Sequence, residues 1–278
     1  MSIKDREAMR AFYERLGEAE WDRLETTLRG RVSFEVHRQF LARFVKPGQS
    51  VLEIGAGPGR FTFELAALDT RVAVADFSPV QLSLHAQHLA GTDAESAVVS
   101  RELLDICDTS RYDDATFDLV LAFGGPLSYA FEDDAEALAG LFRITKPGGV
   151  VVASVMSLLG TWRYFLPAVI EDTKVAGEEA NNLVLTTGDL RYFGTEHVCQ
   201  MYRGSDIERL VTSCGAEVLA MSASNWASLS DAEALGELET DPERWKNFLE
   251  HEIRACAEPG AIDGGTHLLF AASVIPKS

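Results

Sequence analysis

Apolar positions change their period several times along the chain. Between residues 1 and 46, Phe12, Leu16, Trp21, Leu24 and Leu28 recur about once per helical turn, and Phe34, Phe40, Leu41 and Phe44 continue the series. This predicts two or three amphipathic helices. Lys46-Pro-Gly-Gln breaks the pattern, and short apolar runs then alternate with helical stretches. Strands are expected at 50–54, 71–76, 96–103, 117–123 and 150–156, with helices at 60–68, 79–89 and 133–144 between them, and Lys146-Pro-Gly-Gly turns into the fifth strand. Strands and helices alternating at this rhythm imply right-handed crossovers and a mostly parallel sheet with helices on both faces, a doubly wound, Rossmann-like α/β fold.

After Ser157 the alternation stops. A helix is expected over 159–176, followed by a turn-rich polar segment to about residue 203, then a helix at 205–214 and strands at 217–221 and 267–273. A second, mostly helical and Glu-rich stretch occupies 229–257. The expected organisation is an N-terminal helical cap, 1–46, and a domain over 47–278 with lid insertions at about 158–203 and 222–262.

Composition narrows the function classes. The 278 residues carry 25 Lys plus Arg against 43 Asp plus Glu, a formal charge of −18, and 46% are hydrophobic. That is enough apolar material for a large core. The longest mainly apolar stretch, about 150–159, includes Ser154 and Ser157 and falls well short of the ~20 residues that span a bilayer. The first residues lack the apolar core of a secretory signal, and Cys107, Cys199, Cys214 and Cys256 form no C-x-x-C pair. A cytoplasmic protein with free thiols and no membrane partner is expected. The acidity argues against a nucleic-acid partner, which needs a basic face to displace condensed counterions.

The most informative stretch is Val51-Leu-Glu-Ile-Gly-Ala-Gly-Pro-Gly59, because glycines at a strand-to-helix turn let a ligand approach the backbone and face a helix N-terminus. The position where a dinucleotide-binding loop needs its third glycine is Arg60, so NAD fits poorly. Asp76 follows Gly55 at about the 20-residue offset of a ribose-binding carboxylate. His85 and His88 lie three apart on the 79–89 helix without a third ligand, so a solvated helix face is expected there and no metal site.

Four features in order make the chain resemble the class I S-adenosylmethionine-dependent methyltransferases of the small-molecule type: E-x-G-x-G-x-G at Glu53 to Gly59, Asp76 closing the second strand, Asp105-Ile106 after the third, and Lys146-Pro-Gly-Gly before the fifth. The resemblance implies a seven-stranded sheet whose last strand, 267–273, runs antiparallel to 217–221. It implies S-adenosylmethionine as cofactor, S-adenosylhomocysteine as product, and methylation of an oxygen or nitrogen on a small molecule. Position by position, Glu53 orients the methionine amino group, Gly55, Ala56 and Gly57 line the methionine and ribose, and Asp76 accepts from the ribose hydroxyls. Phe77 flanks the adenine, Asp105 accepts from its amine, and the Ile106 backbone meets the ring.

The loop from Ala122 to Tyr129 follows the fourth strand, where this fold sets donor against acceptor. Ala122 is assigned to the cofactor, and Phe123, Gly124, Ser128 and Tyr129 to the substrate. That loop lacks the [ND]-P-P-[YF] pattern of nucleic-acid amino methylation. Tyr13 is expected to cap the sulfonium. His197 and Tyr202 are candidate bases, and Arg29 and Arg31 are candidate carboxylate ligands. A monomer or homodimer is expected. A peptide or protein methyltransferase, and a nucleoside-binding protein of this fold without methyl transfer, are the alternatives.

Overall fold

A computed structural model describes residues 3–274, with side chains from residue 7 onward. Strands β1 (Ser50–Ile54), β2 (Arg71–Asp76), β3 (Val98–Leu103), β4 (Phe117–Ala122), β5 (Thr145–Ser157), β6 (Met201–Tyr202), β7 (Ala216–Ala223) and β8 (His267–Val274) form one sheet. Its order is β3-β2-β1-β4-β5-β8-β7, and β6 pairs with the far end of β5. β1 to β5 are parallel, whereas β8 runs antiparallel to both β5 and β7. The expected seven strands are therefore present, and the two-residue β6 is an addition.

Helices α4 (Arg60–Ala67), α5 (Pro79–Leu89), α6 (Asp134–Ile144) and α10 (Gly204–Ser213) are the crossovers. α1 (Ile3–Leu16), α2 (Ala19–Asp22) and α3 (Leu28–Ala42) precede the sheet. Alternation along the strands sorts the core: Leu52, Ile54 and Val120 pack with Leu138 and Leu141 of α6 and Ile207 of α10. Val51, Val72 and Leu119 pack with Phe40 and Leu41 of α3 and Phe61 and Leu65 of α4.

Three local expectations change. The Lys146-Pro-Gly-Gly segment lies inside β5 as a bulge, with pairing jumping from Phe117–Thr145 to Leu119–Val150 and Gly148 at φ 78°. The single helix expected at 159–176 is two, α7 (Leu158–Tyr164) and α8 (Leu166–Ala176), because Pro167 has no N–H to donate and sits instead in the first turn of α8. The polar segment after it contains a further helix, α9 (Glu178–Thr187), bounded by Gly177 and Gly188. Its Asn and Thr residues have weak helix propensity. The helix forms because Ala180 and Val184 bury against Met9, Leu158 and Phe193.

The 222–262 stretch contains α11 (Ala232–Glu239) and α12 (Pro242–Cys256). The Glu252 carboxylate ties α12 to the loop before α11, accepting from the backbone N–H of Trp226 (2.7 Å), Ala227 (3.0 Å) and Ser228 (3.0 Å). The four cysteines are free, and no described helix is long and apolar enough to cross a membrane.

Candidate active site

A narrow groove runs over the carboxyl ends of β1, β2 and β3, where a parallel sheet presents its ligand-binding crevice. One part, about 60 Å³, is lined by Gly55, Gly57, Asp76, Phe77, Gln81 and Tyr129. A second, about 220 Å³, is lined by Phe77, Leu103, Leu104 and Asp105, so Phe77 borders both. Asp76 accepts from the Gly57 N–H and from the Ser78 N–H, each at 2.8 Å, and so clamps the glycine turn to the start of α5. Burial raises its pKa to about 6, against the lowering effect of those two backbone bonds. Gln81 donates through Nε2 to the Tyr13 carbonyl at 2.9 Å, while its Oε1 is buried with no hydrogen-bond partner among the described residues.

Arg60 explains what stands in place of the third glycine. Its guanidinium donates to the Trp21 carbonyl at 2.9 and 3.0 Å and lies 3.6 Å from the Trp21 ring centroid, pinning α2 beside the turn.

Beyond β4 and β5 lies a larger cavity of about 520 Å³. Its walls come from the α2–α3 region, α7, α8, the 190–201 segment and the loop near Asn225, and include Trp162, Val169, Phe193 and His197. A hydrogen-bonded chain runs from groove to cavity: Tyr13 Oη meets Tyr129 Oη at 2.5 Å, and Tyr129 Oη meets His197 Nε2 at 3.0 Å. Burial, the largest effect on all three, lowers the His197 pKa and raises both phenols, so the imidazole is neutral and the hydroxyls keep their protons near pH 7.

Residues 51–149 match the family described as a methyltransferase domain. Residues 51–149 therefore carry a methyltransferase domain. The matched segment spans β1 to the β5 bulge, the strands that build the groove. A phosphoethanolamine N-methyltransferase of Triticum aestivum is 33% identical over 111 residues, 40% of this chain and 21% of that protein. The chain spans 21% to 46% of the length of the curated relatives it matches. Among solved structures, a putative methyltransferase in complex with the Haloferax volcanii Trm112 methyltransferase activator has a TM-score of 0.58 at 20% identity, covering 98% of both chains. The [4+2]-cyclase SpnF has a TM-score of 0.54 at 14% identity, covering 87% of this chain and 81% of that one. These structural likenesses concern the fold, which by itself does not choose the chemistry.

The structure brings Tyr13, Gly55, Gly57, Asp76, Phe77, Gly124 and Tyr129 to the groove, and Asp105 to its outer part. Asp105 also accepts from the Cys107 N–H at 2.9 Å, and the Gly124 N–H donates to Ser154 Oγ at 3.0 Å. Other expected residues do not line the groove. Glu53 is 3% exposed, its carboxylate accepting from Thr62 of α4 at 2.5 Å. Burial raises its pKa to about 8. Ala56, Ile106 and Ala122 are buried in the core, and Phe123 packs its ring on His37 and Phe61. Ser128 is fully buried, its hydroxyl accepting from the Met156 N–H at 2.9 Å, so it braces the loop against β5 instead of facing a substrate.

Tyr202 is a further correction: its hydroxyl donates to Asp134 at 3.0 Å amid the core under α10, and it lines neither groove nor cavity. Of the two candidate arginines, Arg29 lines the cavity, whereas Arg31 pairs with Glu239. His85 does not face solvent. It is fully buried and joins Thr62 (2.9 Å) to Arg101 (3.0 Å), and burial lowers its pKa to about 4. His88 pairs with Glu18 at 2.7 Å.

The sequence reading missed Gln81, Trp162 and His267. Gln81 left one trace, its place three residues after the helix-capping Ser78, whose Oγ accepts from the Gln81 N–H.

Proposed function

We propose that the chain transfers a methyl group from S-adenosylmethionine to an oxygen or nitrogen of a small molecule held in the 520 Å³ cavity. The observation that carries this reading is the Tyr13–Tyr129–His197 chain, which joins the cofactor groove to a cavity of ligand size. Bound S-adenosylmethionine supplies a methyl already activated on a sulfonium, which leaves the protein to position the acceptor, exclude water and handle one proton.

Each residue then has a defined task. Asp76 accepts from the ribose hydroxyls, the Gly55 and Gly57 backbone lets the ligand lie close, and Phe77 and Asp105 hold the purine. Gln81 Oε1 accepts one of the ligand's polar hydrogens, which satisfies the buried atom. His197 Nε2–H donates to Tyr129, and Tyr129 donates to Tyr13, the direction that leaves the His197 Nδ1 lone pair free. His197 lines the cavity as a neutral imidazole and takes the acceptor's proton on Nδ1 as the new bond to carbon forms. The cavity walls contributed by α7 and α8 favour a small acceptor over a peptide.

The groove is narrower than the ~300–1,000 Å³ typical of ligand sites. Calorimetric titration with S-adenosylhomocysteine tests the reading. Saturable binding, weakened by Asp76→Ala and not reproduced by NAD, supports it, and no binding to the folded protein overturns it.

A further inference from the structure

In this acidic chain many arginines meet carboxylates, as in Arg38–Glu35 (2.6 Å), Arg101–Glu95 (2.6 Å) and Arg143–Asp114 (2.6 Å). Arg29 and Arg163 differ. Arg29 donates to the Ser228 carbonyl at 3.2 Å and to Tyr164 Oη at 3.3 Å, with its guanidinium 5.5 Å from the Tyr164 ring centroid. Arg163 donates to the Gly264 carbonyl at 2.7 Å and lies 5.4 Å from the Trp226 ring centroid. Among the described residues, both guanidinium groups have only neutral partners.

Both arginines line one open depression of about 670 Å³, together with Tyr164, Pro167, Leu229 and Ser230, and no carboxylate lines it. Arg29 also lines the inner cavity, so it stands where the depression meets the interior. The interior is mainly apolar and aromatic. Its charged members besides Arg29 are Arg23, already held by Glu20 at 2.8 Å, and Asp172 on α8, which does not reach the depression. A guanidinium fork matches a carboxylate or phosphate bidentately, and such charge-assisted bonds are the strong ones. Two forks at the mouth of an apolar chamber, in a chain of formal charge −18, form a local inversion of charge.

We propose that the acceptor is an apolar small molecule with a terminal anionic group, which Arg29 and Arg163 hold at the mouth while the apolar body lies in the chamber toward His197. This rests on the reading of the chamber as the acceptor site. The anion anchors one end, burial of the body holds the other, and the reacting atom is thereby kept at a fixed depth.

Ten-carbon probes differing only in the head group test this by calorimetry on the whole chain: decanoate, decyl phosphate, decanol and decylamine. Decanoate or decyl phosphate is expected to bind at least about tenfold more tightly than decanol, the size of one charge-assisted contact. Whichever of the two wins identifies the head group. Arg29→Gln should abolish that preference, Arg29→Lys should restore part of it, and Arg163→Gln should reduce it less. Unchanged S-adenosylhomocysteine affinity in Arg29→Gln shows that the variant is folded. Equal binding of decanol and the anions, an anion preference that survives Arg29→Gln, or strongest binding of decylamine would each overturn the proposal, the last pointing to Asp172. Arg29-dependent anion binding in a chain that does not take S-adenosylhomocysteine would uphold the anion site and refute the methyltransferase reading.

Discussion

Along the carboxyl edge of the sheet, β1, β2 and β3 offer a groove made of backbone and strand-end side chains, whereas the cavity beyond β5 is walled by side chains from segments far apart in the chain. The groove takes its geometry from strand register: Glu53 pairs with Val74, and Ile54 with Ala75, which places Gly55 and Asp76 side by side. The cavity has no such ruler. Its shape follows from how α7, α8 and α9 settle against α1 through the cluster around Met9, Val184 and Phe193. A site built on register suits a ligand shared across a fold, and a site built from insertions suits one peculiar to a single chain.

The His197–Tyr129 link is where the two regions depend on each other. His197→Ala is expected to lower kcat by about 10²–10⁴, the usual weight of a positioned base, with little change in S-adenosylhomocysteine affinity. A comparable loss of both would mean that the imidazole holds the groove and does not serve the cavity. The next largest effect belongs to the groove alone. Asp76→Ala should weaken S-adenosylhomocysteine by about 1.5–3 kcal/mol, roughly 10- to 150-fold, through lost hydrogen bonds to a charged acceptor. Probes bound in the cavity should be unaffected, and calorimetry with each ligand separates the two.

The groove side also carries a pH signature. The folded-state pKa of Glu53 is raised to about 8 from 4.5, mainly by burial, so between those values the native state holds a proton that the unfolded chain has released. Stability therefore falls as pH rises through this window, by up to about 1.4 kcal/mol per unit from this group. Glu53→Gln should flatten the slope in denaturant titrations at pH 5, 6, 7 and 8, and a slope unchanged by the substitution would assign it to other groups. The smallest effect is expected for Gln81→Leu. Loss of the Oε1 acceptor, with the Nε2 bond to the Tyr13 carbonyl, should weaken S-adenosylhomocysteine by about 1 kcal/mol.

The difference between the regions also explains what could be read in the chain. The strands, the crossover helices, the glycine turn and Asp76 are written in local signals, namely period, turn residues and short spacing, and the structure reproduces them to within a few residues. His85 was misread because three-residue spacing says nothing about which face of α5 turns inward. α9 was missed because its propensity is poor and its support lies on other elements. Tyr202 and His197 sit five residues apart, yet one belongs to the core under α10 and the other to the cavity, a division made by β6 pairing with β5 just at Tyr202.

By itself, the sequence determined the alternation of strands and helices, the glycine turn and the carboxylate facing it, because each depends on residues within about one supersecondary unit. Only the tertiary structure decided that Tyr13 would meet Tyr129 across 116 residues and Tyr129 would meet His197 across 68. It also decided that Arg29 would open onto a chamber walled by α7 and α8. Such contacts form when insertions fold back and bury apolar faces against the cap, and no local pattern records which polar groups that packing brings together.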